Sequence, residues 1–197
     1  MEHAAASENV EEALTLARRL GARRFEAEAL AFRGELQRVA GRRSEALNDV
    51  NEALAIARET GMAFIGPMIL GILALAANDP QVRSDALAEG EALLAAGSVS
   101  HNHLHFRRDA IDACLDAGDW SGAELHSTAL ETYTCEEPLP WSDFFVARGR
   151  ALAACGRGRR DAALVAELAR LTEEGQRLAF KLSLPAVETA LAGAMSC

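Results

Sequence analysis

One ten-residue pattern occurs twice in this chain, at an offset of 40 residues: Glu12 to Gly21 reads EALTLARRLG and Glu52 to Gly61 reads EALAIARETG. Seven of the ten positions are identical or nearly so. Around both copies, apolar or small residues recur at i, i+3, i+4 and i+7, the period of one face of an α-helix. A glycine follows the last turn in each copy, where a left-handed cap is needed. A helix of this kind cannot bury its stripe alone. A sequence that repeats it must stack helix on helix, which confines the chain to an all-α array.

Weaker echoes follow at EALLAAG (Glu91 to Gly97) and LARLTEEG (Leu168 to Gly175). The turns repeat as well. GRRSEA, GDWSGA and GRRDAA each place a glycine (Gly41, Gly118, Gly158) five residues before an alanine (Ala46, Ala123, Ala163). The glycine ends one helix, and the alanine lets the next backbone approach closely. Read in order, the pattern predicts helices over Glu8–Leu20 capped by Ser7, Arg23–Ala40, Glu45–Thr60 capped by Ser44, and Met62–Ala77 with Pro67 near its first turn. After the break at Asn78-Asp79-Pro80 come Gln81–Ala96 and a helix capped by Ser100 or Asn102 that runs to about Ala117. Trp120–Thr134, Trp141–Cys155, Asp161 to about Phe180, and a short last helix from Ser183 or Leu184, frayed at Gly193, complete the chain. About ten helices with short turns, and no strand alternation of useful length, give a single domain over residues 1–197: a right-handed α-solenoid of roughly five helical hairpins.

Composition narrows the partners. The formal charge is −9 and the only lysine is Lys181, so the overall balance opposes nucleic-acid binding, which needs a basic face. Aromatic residues make up 5 %, a bias that suits close helix packing better than a β-sandwich. Cys114, Cys135, Cys155 and Cys197 fit neither a zinc knuckle nor a disulfide framework and read as reduced packing residues. MEHAAASENVEEA has no apolar core of a secretory signal, and the most apolar stretch, Met62 to Ala77, is too short to span a bilayer. The cytoplasm is the default.

Few residues carry chemistry. His101, His103 and His105 form HNHLH; alternate residues of a strand would share one face and could hold a metal, whereas on a helix only His101 and His105 do. Against that stands a reading in which Ser100 and Asn102 cap a helix and the histidines line its exposed first turn. His105, Arg107, Arg108, Asp112 and Arg148 are the candidate partner-binding residues, an arginine-lined groove suited to an acidic peptide. The alternative is a solvated face with intrahelical pairs such as Arg108 with Asp112. Trp141 is either a peptide anchor or packing of the loop against the stack. Cys155 and His126 are a nucleophile–base pair only in principle, since nothing flanks them as an oxyanion element. No GxxxxGK[ST] loop is present, and no cofactor is implied.

Leu30, Gly34, Ala46, Val50 and Ala53 fall where the tetratricopeptide repeat has its large, Gly, Ala, apolar and Ala positions, and the chain resembles that repeat. Gly71 with Ala86, then Ile111, Cys114, Ala123 and Leu130, then Ala151, Ala163 and Leu171 give further, more divergent units, without the repeat's usual Trp and Tyr. The runs RRFEAEALAFRGELQRVAGRR, ALAIARETGMAFIGPMILGILALA, SVSHNHLHFRRDAIDACLDAGDW and EPLPWSDFFVARGRALAACGRGRRD, together covering roughly Leu16 to Leu191, are similar to the C-terminal helical-repeat region of bacterial multidomain adenylate/guanylate cyclases. In that family a class III cyclase domain and an AAA-type ATPase precede such a tail. The resemblance implies a non-catalytic interaction or regulatory module, since neither enzymatic part lies within this sequence. Its implied partners are a protein or peptide, or the family's own cyclase and ATPase domains. A ligand- or metal-responsive sensor, or a small enzyme, using His101–His105 is the alternative. The chain begins inside what reads as the second helix of a hairpin, which fits a severed tail or a short gene, and the unpaired face of that helix offers a route to self-association.

Overall fold

The computed structural model describes residues 2–195. Ten helices, and no strand, are found among the described residues. The all-α hairpin architecture expected from the repeat is the architecture observed. Two compact units divide the chain, Met1–Asp109 and Ala110–Cys197.

The first unit holds α1 (Glu2–Leu20), α2 (Arg23–Val39), α3 (Arg43–Thr60), α4 (Gly66–Ala76), α5 (Pro80–Ala95) and the start of α6 (His101–Asp116). A close crossing joins α2 to α3. Gly34 faces Val50, and a Cβ on it would come within 2.7 Å of the Val50 Cγ2. The turn between them needs Gly41 at φ 77°, in the left-handed region. Arg33 then braces the crossing with two bonds of 2.7 Å to the buried Asp49 carboxylate, and its pKa rises mainly through those bonds. On the α1 side, Arg18 and Arg23 converge on Glu26. Burial alone would raise the Glu26 carboxyl, but the two hydrogen bonds outweigh it and leave its pKa below the ordinary value. Every residue of α4 is buried, which accounts for the most apolar stretch of the sequence without a membrane. No helix among the described residues is long and apolar enough to cross one.

The second unit holds the rest of α6 with α7 (Trp120–Thr134), α8 (Pro140–Gly156), α9 (Ala162–Arg177) and α10 (Leu184–Met195). Gly149 supplies the tight contact here, facing Ser127 and Ile111. Phe144, Phe145 and Phe180 cluster with ring centroids 5.0–5.7 Å apart, and Trp141 lies 4.7 Å from Phe145. Trp120 covers Gly156. Both tryptophans therefore have packing partners within the unit.

Several boundaries differ from the sequence reading. Ser7 lies within α1 instead of capping it, and Arg42, without a side-chain cap bond, occupies the N-cap position expected of Ser44. Met62–Ile65 form a turn before α4, although their apolar character continues the helical pattern. Asp79, Asp119 and Asp161 cap α5, α7 and α9, their side chains accepting from the backbone N–H of Gln81, Gly122 and Leu164. Gly193 lies inside α10. Cys114 and Cys155 are buried outside any disulfide, as expected of packing cysteines; Cys135 is exposed in the turn after α7, and Cys197 lies outside the described residues.

Candidate functional site

The start of α6 is positioned by Asn102. The sequence offers this residue as a cap, but its side chain turns inward and is fully buried. Its Oδ1 accepts from the Met68 N–H at 3.2 Å, and its Nδ2 donates to the Phe64 carbonyl at 2.8 Å. The Val99 N–H also donates to the Ala63 carbonyl at 3.0 Å. These bonds pin α6 to the turn that precedes α4 and satisfy backbone groups buried with it.

The predicted binding residues fall in both units. Arg107 in α6 is buried and donates to Glu91 of α5, one bond being 2.9 Å. Arg108 donates to Glu35 of α2 at 2.9 Å and to the neighbouring Asp109 at 2.7 Å. In the second unit Arg148 of α8, 5 % exposed, donates to Asp112 and to the Ser183 carbonyl. The structure thus brings Asp112 to Arg148. The intrahelical pair of Arg108 with Asp112 expected from their spacing is replaced by pairs between helices. Each of the three arginines faces a carboxylate inside its own unit, so their charge holds neighbouring helices together before it is offered to any ligand. Arg150 likewise pairs with Glu131, at 2.6 and 2.9 Å.

His105 lies beside Arg108 and Glu35. Burial, reinforced by the Arg108 charge and opposed by Glu35, pushes its pKa down to about 4. His103 shifts the same way, through burial and then Arg107. His101 and His105 share one helix face, their rings 6.5 Å apart, and they are partly buried, where the alternative reading has an exposed first turn. Among the described residues, no three His, Cys, Asp or Glu side chains converge on a point where a metal could sit.

What the histidines do join is aromatic. Phe25 of α2 meets Phe64 at 5.9 Å, Phe64 meets His101 at 6.0 Å, and both contacts are edge-on. Arg24 holds the middle of this strip: its guanidinium lies 6.0 Å from the Phe64 ring centroid and donates to the Thr60 carbonyl at the end of α3. The strip therefore runs across α2, the turn before α4, and α6.

Phe25 is 60 % exposed, and it leads from this strip into an open cleft between α1 and α2. The cleft, about 260 Å³, is lined by Val10, Ala13, Phe25, Ala29 and Phe32, with Asn9 and Glu28 at its edges. Leu16 (43 % exposed) and Leu20 (68 %) extend it along α1, since they follow Ala13 at i+3 and i+7. A cleft of similar size between α8 and α9 is lined by Arg150, Arg159 and Glu167 among small residues, and each of these charges already has a partner. The sequence reading named neither Phe25 nor Phe64 as a site residue; the signal was an aromatic residue on a helix stripe, which also fits a core position. No protein-family model matches the chain, and no curated protein does.

Proposed function

We propose that the chain is a non-catalytic protein-interaction module of tetratricopeptide-like helical hairpins, of the regulatory kind that its resemblance to the cyclase C-terminal region implies. The observation that carries this reading is the cleft between α1 and α2. It joins exposed Phe25, Leu16 and Leu20 into one apolar surface on a unit where Arg33, Arg107 and Arg108 are engaged in pairs between helices. Contiguous exposed apolar surface of this kind marks interaction sites. The depressed pKa of His105 supports the same reading, because a neutral ring beside His101, at the end of the adjoining strip, adds apolar character at neutral pH.

The purified chain and its Ala13→Arg variant, used side by side to retain partners, test the proposal. Ala13 is exposed on α1, so the substitution leaves the fold intact and places a charge in the cleft. A partner retained by the parent chain and by Ala88→Arg on exposed α5, but lost with Ala13→Arg, is the expected result. Equal retention by all three, or none by any, would overturn it.

A further inference from the structure

The recurring turn aligns two hairpins of this chain, α2–α3 and α8–α9. Gly41 matches Gly158 and Ala46 matches Ala163, both at an offset of 117 residues. Leu30, Arg33, Asp49 and Val50 then match Ala147, Arg150, Ala166 and Glu167. In the first hairpin Leu30, Ala46 and Val50 are fully buried, and Arg33 crosses to Asp49. In the second, Ala147 is half-buried, Ala163 is exposed, and the Glu167 carboxylate turns to Arg170 on its own helix. Small side chains on α8 and an outward glutamate on α9 leave the crossing open. The cleft of about 320 Å³ between α8 and α9 is that opening, floored by Ala147, Ala151, Ala154 and Leu164. A repeat whose turn is kept while its packing rule is broken points to a site.

Three charges line this cleft: Arg150, Arg159 and Glu167. Ala166 offers Arg150 no carboxylate across the crossing, so its guanidinium turns to Glu131 of α7. Arg159 pairs with Asp161, and Glu167 with Arg170. The side chains of Glu131, Asp161 and Arg170 are 54 %, 49 % and 50 % exposed. Pairs this exposed add little stability and exchange with a ligand at small cost. The Arg150 Nε and the Arg159 Nη1 donate no hydrogen bond among the described residues. Each lining charge also stands beside a counter-charge, so a bare anion or a bare cation meets a balanced field. A small molecule that carries both charges on a short apolar body meets a complementary group at each end and an apolar floor between them. We infer that the cleft between α8 and α9 binds a free α-amino acid with an apolar side chain, its carboxylate on Arg150 and Arg159, its ammonium on Glu167 and its side chain over the alanines. This site lies in the second unit and is independent of the interaction-module reading.

Isothermal titration of the full chain with free valine, leucine and methionine tests it. At least one should bind. For leucine, the acid without the ammonium (4-methylpentanoic acid) and the amine without the carboxylate (isoamylamine) should each bind about tenfold or more weakly, the cost of one lost charge-assisted contact. Glu167→Gln should weaken the amino acid and leave the acid unchanged, whereas Arg159→Gln should weaken both. Ala147→Leu restores the side chain that Leu30 has in the first hairpin, and it should fill the cleft and abolish binding. Far-UV circular dichroism establishes that each variant is folded, and Arg159→Gln, at an exposed position, carries the test if Ala147→Leu is not. Binding of none of the three amino acids overturns the inference. So does binding that the acid or the amine matches, or binding that Glu167→Gln and Arg159→Gln leave unchanged.

Discussion

Gly34 of α2 lies so close to α3 that a Cβ on it would stand 2.7 Å from the Val50 Cγ2 and 3.1 Å from the Ala46 carbonyl oxygen. The second neighbour is backbone, and the first belongs to a β-branched side chain with little rotamer freedom. Gly34→Ala gains helix propensity of up to about 1 kcal/mol, but overpacking of this kind costs about 1–3 kcal/mol. Net destabilisation is expected in chemical denaturation. Gly193, in α10, has nothing within 4 Å of the same added atom. There Gly193→Ala should stabilise by about 0.5–1 kcal/mol. One substitution with opposite signs at two helical positions checks the packing directly.

Asn102 is the second test of the fold. Asn102→Leu removes the acceptor for the Met68 N–H and the donor to the Phe64 carbonyl, both in a buried setting. Leaving such groups unpaired costs about 1–3 kcal/mol each. The urea midpoint should fall accordingly. A midpoint within error of the parent chain would show that Asn102 does not anchor α6.

In the second unit, Asp112→Ala strands the buried guanidinium of Arg148, which keeps only its bond to the Ser183 carbonyl. A loss of about 2–4 kcal/mol is expected, at the low side of the range for broken buried pairs because Asp112 is partly exposed. Adding Arg148→Met should recover part of that loss. The double-mutant cycle, read by denaturant unfolding, measures the coupling between the two residues.

His105 makes stability depend on pH. Its pKa is about 4 folded, against an ordinary 6.5 when unfolded. Between those values the unfolded chain binds the proton and the folded chain does not, so stability is lost as pH falls through this window and is fully present above it. The largest effect is about 3 kcal/mol. Arg108, His101 and Glu35 face the same ring, so the His105→Gln variant isolates its share. The parent chain should lose more stability than the variant between about pH 7 and about pH 5. Parallel loss in both would contradict the assignment.

The repeat made the helices legible because burial there has a period. Val50, Ala53, Leu54 and Ala57 announce a buried face, and Gly41, Gly118 and Gly158 announce the turns, all at positive φ. The turn at Met62–Ile65 was hidden for the opposite reason: it is as apolar as the fully buried α4 that follows, so nothing in its composition breaks the pattern. The caps assigned to Ser7 and Ser44 failed because α1 begins more than a turn before Ser7 and α3 begins at Arg43, one residue before Ser44. The arginines were visible as candidates, but their partners were not. Arg108 pairs with Glu35, 73 residues away, and periodicity carries no information on such a contact. The meeting of Phe25, Phe64 and His101 was invisible for the same reason, and the cleft shows only in the exposure of Phe25, Leu16 and Leu20 along α1 and α2.

Photo-crosslinking from position 13 tests docking at the α1–α2 cleft most directly. A benzophenone side chain placed there, with a second at exposed position 88 on α5 as the control, is activated in the full chain within cells and the joined peptides are sequenced. The expected result is a cross-link from position 13, absent from position 88, to an apolar segment of another protein. Cross-links of equal yield from both positions, none from position 13, or cross-links from position 13 only to a second copy of this chain would contradict it.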